Sequence, residues 1–283
     1  MEHLIKILVV GENSFIGKHL HNHFINGIRA NITKISLNYF LNELKFNDLI
    51  SYDSVINCAY NPLLKSDVYK ETLDYDYIVG QIVIDAGQHY VMLSSRKVYG
   101  QTDEIKVHYE NNMPNPCDYY SENKLRSEYR LCALRGSCAI LRGSNLYGYE
   151  PGRKSFMGYC MDQLVSQGSV EMTFAPYSRR DFIDIDTACS YIIDVCKHKL
   201  TGVYNLCAGY SIDSGDIVKY LIKGYGSGYI TCSDFDPSDQ FAMDNFKMLS
   251  SIGKAPRLFK HEQIVVGLGI KLNEAINFGV FLL

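Results

Sequence analysis

A chain of 283 residues, 47% hydrophobic and 21% charged with only 7 prolines, can bury one large α/β core or two smaller lobes and leaves little room for disordered segments. A formal charge of -3 with no Lys/Arg block excludes a basic nucleic-acid surface, so any bound anion must be met by a few placed cations. The 9 cysteines contain no C-x-x-C pair and no Cys/His cluster at zinc spacing, which excludes a structural zinc site and reads as reduced, buried thiols.

The first residues, MEHLIKILVVG, carry Glu2 and Lys6 and lack the pattern of a secretory signal, so a cytoplasmic location is expected. Leu4 to Val10 predicts a strand ending at Gly11. Phe15 to about Asn26, closed by Gly27, predicts an amphipathic helix. Thr33 to Leu37 reads as a second strand, Leu41 to Ile50 as a helix, and Ser54 to Ala59 as a third strand bounded by Asn61-Pro62. A helix over Tyr75 to Gly87, a buried strand over Tyr90 to Ser95, a helix over Tyr119 to Arg135 and a strand over Cys138 to Leu141 continue the alternation. Such alternation implies βαβ units and an α/β fold, a Rossmann-like doubly wound parallel sheet.

Beyond Leu141 the rhythm loosens. A helix is expected over Phe156 to Gln167, and RRDFIDID leads into another. Ile264 to Leu283 is interrupted by Lys271, Asn273, Glu274 and Asn277 and falls short of the ~20 apolar residues of a membrane span, so it reads as a terminal helix followed by a strand or tail. No linker rich in Pro, Gly or Ser divides the halves, so the lobes interleave: residues 1–145 with about 182–207 in one, about 146–181 and 208–283 in a smaller C-terminal one.

Three motifs carry chemistry. The first, Gly11-Glu12-Asn13-Ser14-Phe15-Ile16-Gly17, follows a strand and opens a helix. Such a turn presents backbone N–H groups to a pyrophosphate, with glycines where a side chain would block close approach, and makes the first lobe a dinucleotide-binding domain. Ser14 stands where a middle glycine is usual. The acid expected at the end of the second strand to hold the adenosine ribose is missing, since Ser36, Leu37 and Asn38 stand there. That absence leans towards NADP and leaves NAD open, although no arginine is placed for the extra phosphate.

The second motif, Tyr120-Ser121-Glu122-Asn123-Lys124, puts a phenol and an ammonium four residues apart on one helix face. A cation beside a phenol favours the phenolate and suits it to proton transfer near neutral pH. The third, Leu93-Ser94-Ser95-Arg96-Lys97-Val98-Tyr99-Gly100, ends an apolar strand, where ligands of open parallel sheets bind. A hydroxyl there can hold a substrate oxygen while the tyrosine moves its proton.

These motifs, with Asn57-Cys58-Ala59, Leu141-Arg142-Gly143-Ser144-Asn145-Leu146-Tyr147-Gly148, Arg180-Asp181-Phe182-Ile183-Asp184-Ile185-Asp186 and Gly202-Val203-Tyr204-Asn205-Leu206, occur in one order along the chain. The ordered set resembles the extended short-chain dehydrogenases/reductases of the nucleotide-sugar epimerase/dehydratase family. The resemblance implies Tyr120 as acid/base, Lys124 as the residue that binds the nicotinamide ribose, and Ser95 as the hydrogen-bond partner of the reacting sugar oxygen. It implies coenzyme contacts from Gly11, Asn13, Ser14, Phe15, Ile16, Gly17, Cys58, Ala59, Tyr120 and Lys124, and substrate contacts from Ser95, Asn145 and Arg180. It further implies a nucleotide-diphosphate sugar as partner, a homodimer through the helices around Tyr77 and Tyr120, and no metal. Arg153 and Lys154, in the loop after Asn145, read as a solvated loop face in preference to a phosphate-binding one, and Lys97 either points into the site or faces solvent.

Dehydratases of the family carry Asp-Glu directly after the hydroxyl residue, where this chain has Arg96-Lys97. The expected reaction is therefore NAD(P)H-dependent reduction of a nucleotide-diphospho-4-keto-6-deoxy sugar, feeding surface polysaccharide synthesis. A nucleotide-sugar 4-epimerase is the alternative, and a non-catalytic dinucleotide-binding protein a further one.

Overall fold

The computed structural model describes residues 4–20 and 30–278. In chain order the elements are β1 (Ile5–Val10), α1 (Phe15–Leu20), β2 (Ala30–Ile35), α2 (Leu37–Asn42), α3 (Phe46–Leu49), β3 (Ser54–Asn57), α4 (Tyr75–Asp85), β4 (His89–Ser95), β5 (Lys106–His108), α5 (Tyr119–Ala133), β6 (Cys138–Gly143) and β7 (Asn145–Tyr147). They continue with α6 (Phe156–Gln167), β8 (Ser169–Met172), β9 (Arg179–Asp184), α7 (Ile185–Lys197), β10 (Gly202–Leu206), β11 (Ser211–Asp213), α8 (Ser214–Tyr225), β12 (Tyr229–Cys232), β13 (Phe241–Met243), α9 (Phe246–Ser251) and α10 (His261–Asn277).

Six parallel strands form the central sheet in the order β10-β6-β4-β3-β1-β2. Strands sandwiched between helices need apolar side chains on both faces, which is why IKILVV and YVML are almost unbroken hydrophobic runs. Alternation then divides them. Ile7, Val9, Ile56, Val91 and Leu141 pack against α7, while Leu8, Val10, Val55, Tyr90, Met92 and Ile140 pack against α4 and Leu131 of α5. The strand order reverses between β1 and β3, and a crevice opens there beyond the carboxyl ends of the strands.

A separate cluster, with Met157, Met161 and Leu164 of α6, Val170 and Met172 of β8, Val218 and Leu221 of α8, and Val265 and Leu272 of α10, fills a smaller lobe. A three-stranded sheet, β11-β9-β7, contributes to both clusters through β9, with Phe182 in this one and Ile183 in the one against α7. Among the described residues no helix is long and apolar enough to cross a membrane.

The sequence expectation of one helix over Leu41 to Ile50 is corrected to two short ones. Ser36 Oγ accepts the Tyr39 N–H and starts α2 earlier, and an extended Lys45 separates it from α3. The third strand stops at Asn57 because that side chain folds onto Ala59, accepting its N–H at 3.1 Å and donating to its carbonyl at 3.0 Å. The remainder of the helix expected to about Asn26 lies outside the described residues, as does the tail beyond residue 278.

Asp181, in β9, is fully buried and accepts the N–H groups of Ala208 and Gly209 at 2.9 and 3.0 Å. Burial pushes its carboxyl up to about 6 despite these bonds. The native state thus holds a proton that the unfolded chain has lost, and this group's contribution to stability falls as pH rises from the ordinary carboxylate range through about 6. Asp181→Asn removes that fall. Its melting-temperature deficit against wild type is expected to shrink between about pH 4 and pH 7, followed by circular dichroism; a deficit that widens over the window would contradict the assignment.

Candidate active site

The glycine turn is built by close contact. Gly11 has φ +92°, and a Cβ there would lie 2.6 Å from the Ala59 nitrogen. At Gly17 a Cβ would lie 2.5 Å from the Gly11 carbonyl oxygen and 2.7 Å from Ser14 Oγ. Glycine at both positions is therefore a steric requirement. Ser14 Oγ accepts the Gly17 N–H at 2.9 Å, so the hydroxyl in place of the usual middle glycine caps the first turn of α1.

Around this turn lies a groove of about 440 Å³ bounded by Gly11, Asn13, Ser14, Ser36, Cys58 and Ala59. It leads past Ser14, Cys58, Ala59 and Tyr60 into a cavity of about 340 Å³, whose walls also carry Phe15, Ile16, Asp76, Ser95, Tyr120 and Lys124. A path from the end of β2, past the turn opened by Gly11, to a phenol and an ammonium fits an extended dinucleotide. Burial pushes the Cys58 thiol up to about 12, so it lines the path as a neutral, unreactive surface.

The start of α5 is fixed by a capping box, in which Asp118 accepts the Ser121 N–H at 2.8 Å and Ser121 Oγ accepts the Asp118 N–H at 3.2 Å. Tyr120 and Lys124 then project one turn apart on the same face. Lys124 is buried and donates to Asp76 Oδ2 at 2.7 Å and to the Leu93 carbonyl at 2.8 Å. Burial alone would lower its ammonium, but the charges of Asp76 and Tyr120 outweigh that and hold it above its ordinary value. Burial raises the Asp76 carboxyl, opposed by Lys124 and by a 2.9 Å bond from Asn57 Nδ2. Tyr60 packs edge-on to Tyr120 with ring centroids 5.4 Å apart, and the Lys124 ammonium sits 4.4 Å from the Tyr60 ring centre. Burial and the surrounding negative groups hold the Tyr60 phenol neutral.

At the end of β4, Ser95 Oγ accepts the Lys97 N–H at 3.2 Å and opens a short 3₁₀ turn. The two cations after it leave the cavity. Arg96 pairs with Asp239 and lies 4.1 Å over the Phe241 ring, and Lys97 Nζ donates to Asp118 Oδ2 at 2.8 Å. Lys97 therefore neither enters the site nor simply faces solvent: it ties the Ser95 turn to the residue that caps the Tyr120 helix. Behind Ser95, Ser94 Oγ donates to Glu128, which also takes a forked contact from Arg142 and joins β4, α5 and β6.

Ser95, Tyr120, Lys124, Ser14, Phe15, Ile16, Cys58 and Ala59 share the cavity, and Gly11 and Asn13 the adjoining groove. Asn145 and Arg180 are not brought there. Ser144 and Leu146 line the cavity while Asn145, between them, does not. Arg180 donates to the carbonyls of Ser238 and Asp239 at 2.9 and 3.1 Å and lies 3.9 Å over the Phe174 ring; burial pulls it down to about 10. Besides Lys124, the cations that line the cavity are Lys65 and Arg153, the latter lying exposed on its loop, 4.1 Å over the Phe15 ring and paired with Glu150.

Residues 7–207 match the sequence model described as "NAD dependent epimerase/dehydratase family". No curated protein sequence is significantly similar to the chain. Among solved structures, the chain is similar to TunA, a NAD-dependent NDP-hexosamine 5,6-dehydratase of tunicamycin biosynthesis, with TM-score 0.74, 20% identity and 96% and 98% of the two chains covered. It is similar to the ADP-L-glycero-D-manno-heptose-6-epimerase of Helicobacter pylori, with TM-score 0.74, 17% identity and coverage of 96% and 98%. It is also similar to RMD from Pseudomonas aeruginosa complexed with NADPH, with TM-score 0.70, 17% identity and coverage of 95% and 99%. At these identities the likeness is one of fold.

Removing one member of a buried ion pair strands the other, so Asp76→Ala should lower the unfolding free energy by about 3–5 kcal/mol, measured by urea denaturation. A loss below about 1 kcal/mol would mean that the pair is not closed in solution. Lys97→Ala breaks a contact whose partners are both 37% exposed, and should cost less than about 1 kcal/mol in the same assay.

Proposed function

The chain belongs to the NAD-dependent epimerase/dehydratase family, and from that premise we propose that it reduces the C4 carbonyl of a nucleotide-diphospho-4-keto-6-deoxy sugar to a hydroxyl. The observation that carries the reading is one cavity shared by Ser95, Tyr120 and Lys124, in which Asp76 is the one carboxylate among the described lining residues. That carboxylate is already engaged by Lys124 and Asn57.

Asn13, Ser14, Phe15 and Ile16 on one side and Cys58 and Ala59 on the other would hold the coenzyme along the groove, with Lys124 at its nicotinamide end. A bound nicotinamide supplies the hydride. Tyr120 gives its proton to the carbonyl oxygen as that oxygen gains charge. The Lys124 ammonium, one helical turn from Tyr120 and held by Asp76, would bind the nicotinamide ribose. Ser95 donates to the same oxygen and steadies the developing alkoxide. Dehydration across C5 and C6 asks for a further acid and base beside Ser95. Arg96 and Lys97 stand at those positions, each committed to an aspartate.

The same three groups acting twice on a sugar that turns over between steps would make an epimerase, a reading favoured by the likeness to the heptose epimerase. We include in the proposal a homodimer through α4 and α5, whose outward face exposes Tyr119 and Tyr129, and a product destined for surface polysaccharide.

Purified protein supplied with reduced coenzyme and a panel of nucleotide-4-keto-6-deoxy sugars should oxidise the coenzyme in proportion to sugar reduced, read as absorbance loss. Sugar interconversion without net coenzyme consumption would reject the reductase in favour of the epimerase. Tyr120→Phe should lower kcat by about 10²–10⁴-fold while coenzyme affinity stays within about twofold. Unchanged turnover would remove Tyr120 from the reaction.

A further inference from the structure

The choice of coenzyme turns on the far end of the groove, and the inference rests on reading that groove as a dinucleotide site. In such folds a carboxylate beyond the end of the second strand accepts hydrogen bonds from the adenosine ribose and leaves no place for a 2′-phosphate. At the end of β2 this chain has Ser36, whose hydroxyl is spent on capping α2, followed by Leu37. Taken alone, that vacancy leans towards NADP.

The glycine turn changes the balance. The N–H groups of Gly11 and Glu12 both donate to the Ile35 carbonyl, at 2.9 and 3.4 Å, so the turn is stitched to the last residue of β2. Glu12 consequently lines the groove together with Ser36 and Leu37. It is the one charged side chain among the described residues that bound this groove. Lys34, the nearby cation on β2, directs its ammonium to the Lys18 carbonyl at 3.2 Å.

We propose that Glu12 is a specificity-determining residue that selects NAD(H) over NADP(H), supplying from the turn the carboxylate that the strand end lacks. A carboxylate suits the vicinal hydroxyls of an unmodified ribose, as an acceptor facing donors. Set against the 2′-phosphate of NADP it is a like charge, and the described residues that bound this groove include no cation to offset the repulsion. Discrimination of this kind acts on binding, before any sugar is present.

The test is equilibrium binding of NADH and NADPH to the full chain without sugar, by isothermal titration calorimetry at low and at physiological ionic strength. Wild type is expected to bind NADH about 100-fold more tightly than NADPH, a ratio that narrows as salt screens the repulsion. Glu12→Gln should reduce the ratio to below about tenfold, and Glu12→Arg should invert it by pairing with the phosphate. Lys34→Ala should leave the preference for NADH in place. Glu12 is partly exposed, so these variants should fold, which a thermal melt checks. Wild type that binds NADPH as tightly as NADH, or a ratio unmoved in Glu12→Gln, overturns the inference while the site reading stands. Failure of both coenzymes to bind overturns the site reading and the inference with it.

Discussion

A lysine ammonium with 4% of its residue surface exposed must be compensated where it stands, and the Lys124–Asp76 pair is how this protein meets that constraint. Two charges withdrawn from water are tolerated only when geometry is good and the remaining donors and acceptors are satisfied. Asn57 from β3 supplies a donor to Asp76, Leu93 from β4 an acceptor to Lys124, and Tyr60 a ring face. Four elements, α4, α5, β3 and β4, are thereby fixed with respect to one another at a single point. The placement of Tyr120 over the cavity and the path of the groove follow from that point, because α5 cannot slide without exposing one charge or orphaning the other.

Much of this was legible in the sequence because it is local. The glycine turn, the Y-x-x-x-K helix and the serine at a strand end depend on neighbours a few positions apart, and periodicity places them on strand, turn or helix. The six strands of the central sheet were readable for the same reason: buried parallel strands announce themselves as apolar runs between helices. What was not legible depends on partners far along the chain. Asp76 lies 48 positions from Lys124, and Asp239 lies 143 from Arg96. Nothing in the spacing of Arg96-Lys97 says that both side chains turn away from Ser95. Tyr60 carries no motif, and only the packing of the 3₁₀ turn at Pro62–Lys65 against α5 makes it a wall of the site. The path of the polar loop that carries Arg153 across Phe15 has no sequence signature. The break between α2 and α3 was missed because Ser36 started the helix early and an extended Lys45 ended its continuity.

The charges next to Ser95 also illustrate how a family scaffold is redirected without rebuilding it. Two positions that carry acid chemistry in dehydratases of the family are here given to structural ion pairs. One, Arg96 with Asp239, reaches into the segment that also receives the Arg180 guanidinium. The other braces the Ser95 turn against the cap of α5. Ser95, Tyr120 and Lys124 are left in a cavity whose one carboxylate among the described lining residues is already paired with a cation.

The hydrophobic cluster of the smaller lobe is separate from the two that clamp the central sheet. Substitutions in non-contacting cores add nearly independently. Substitutions in that cluster can therefore change its packing while the sheet beside Ser95, Tyr120 and Lys124 keeps its register.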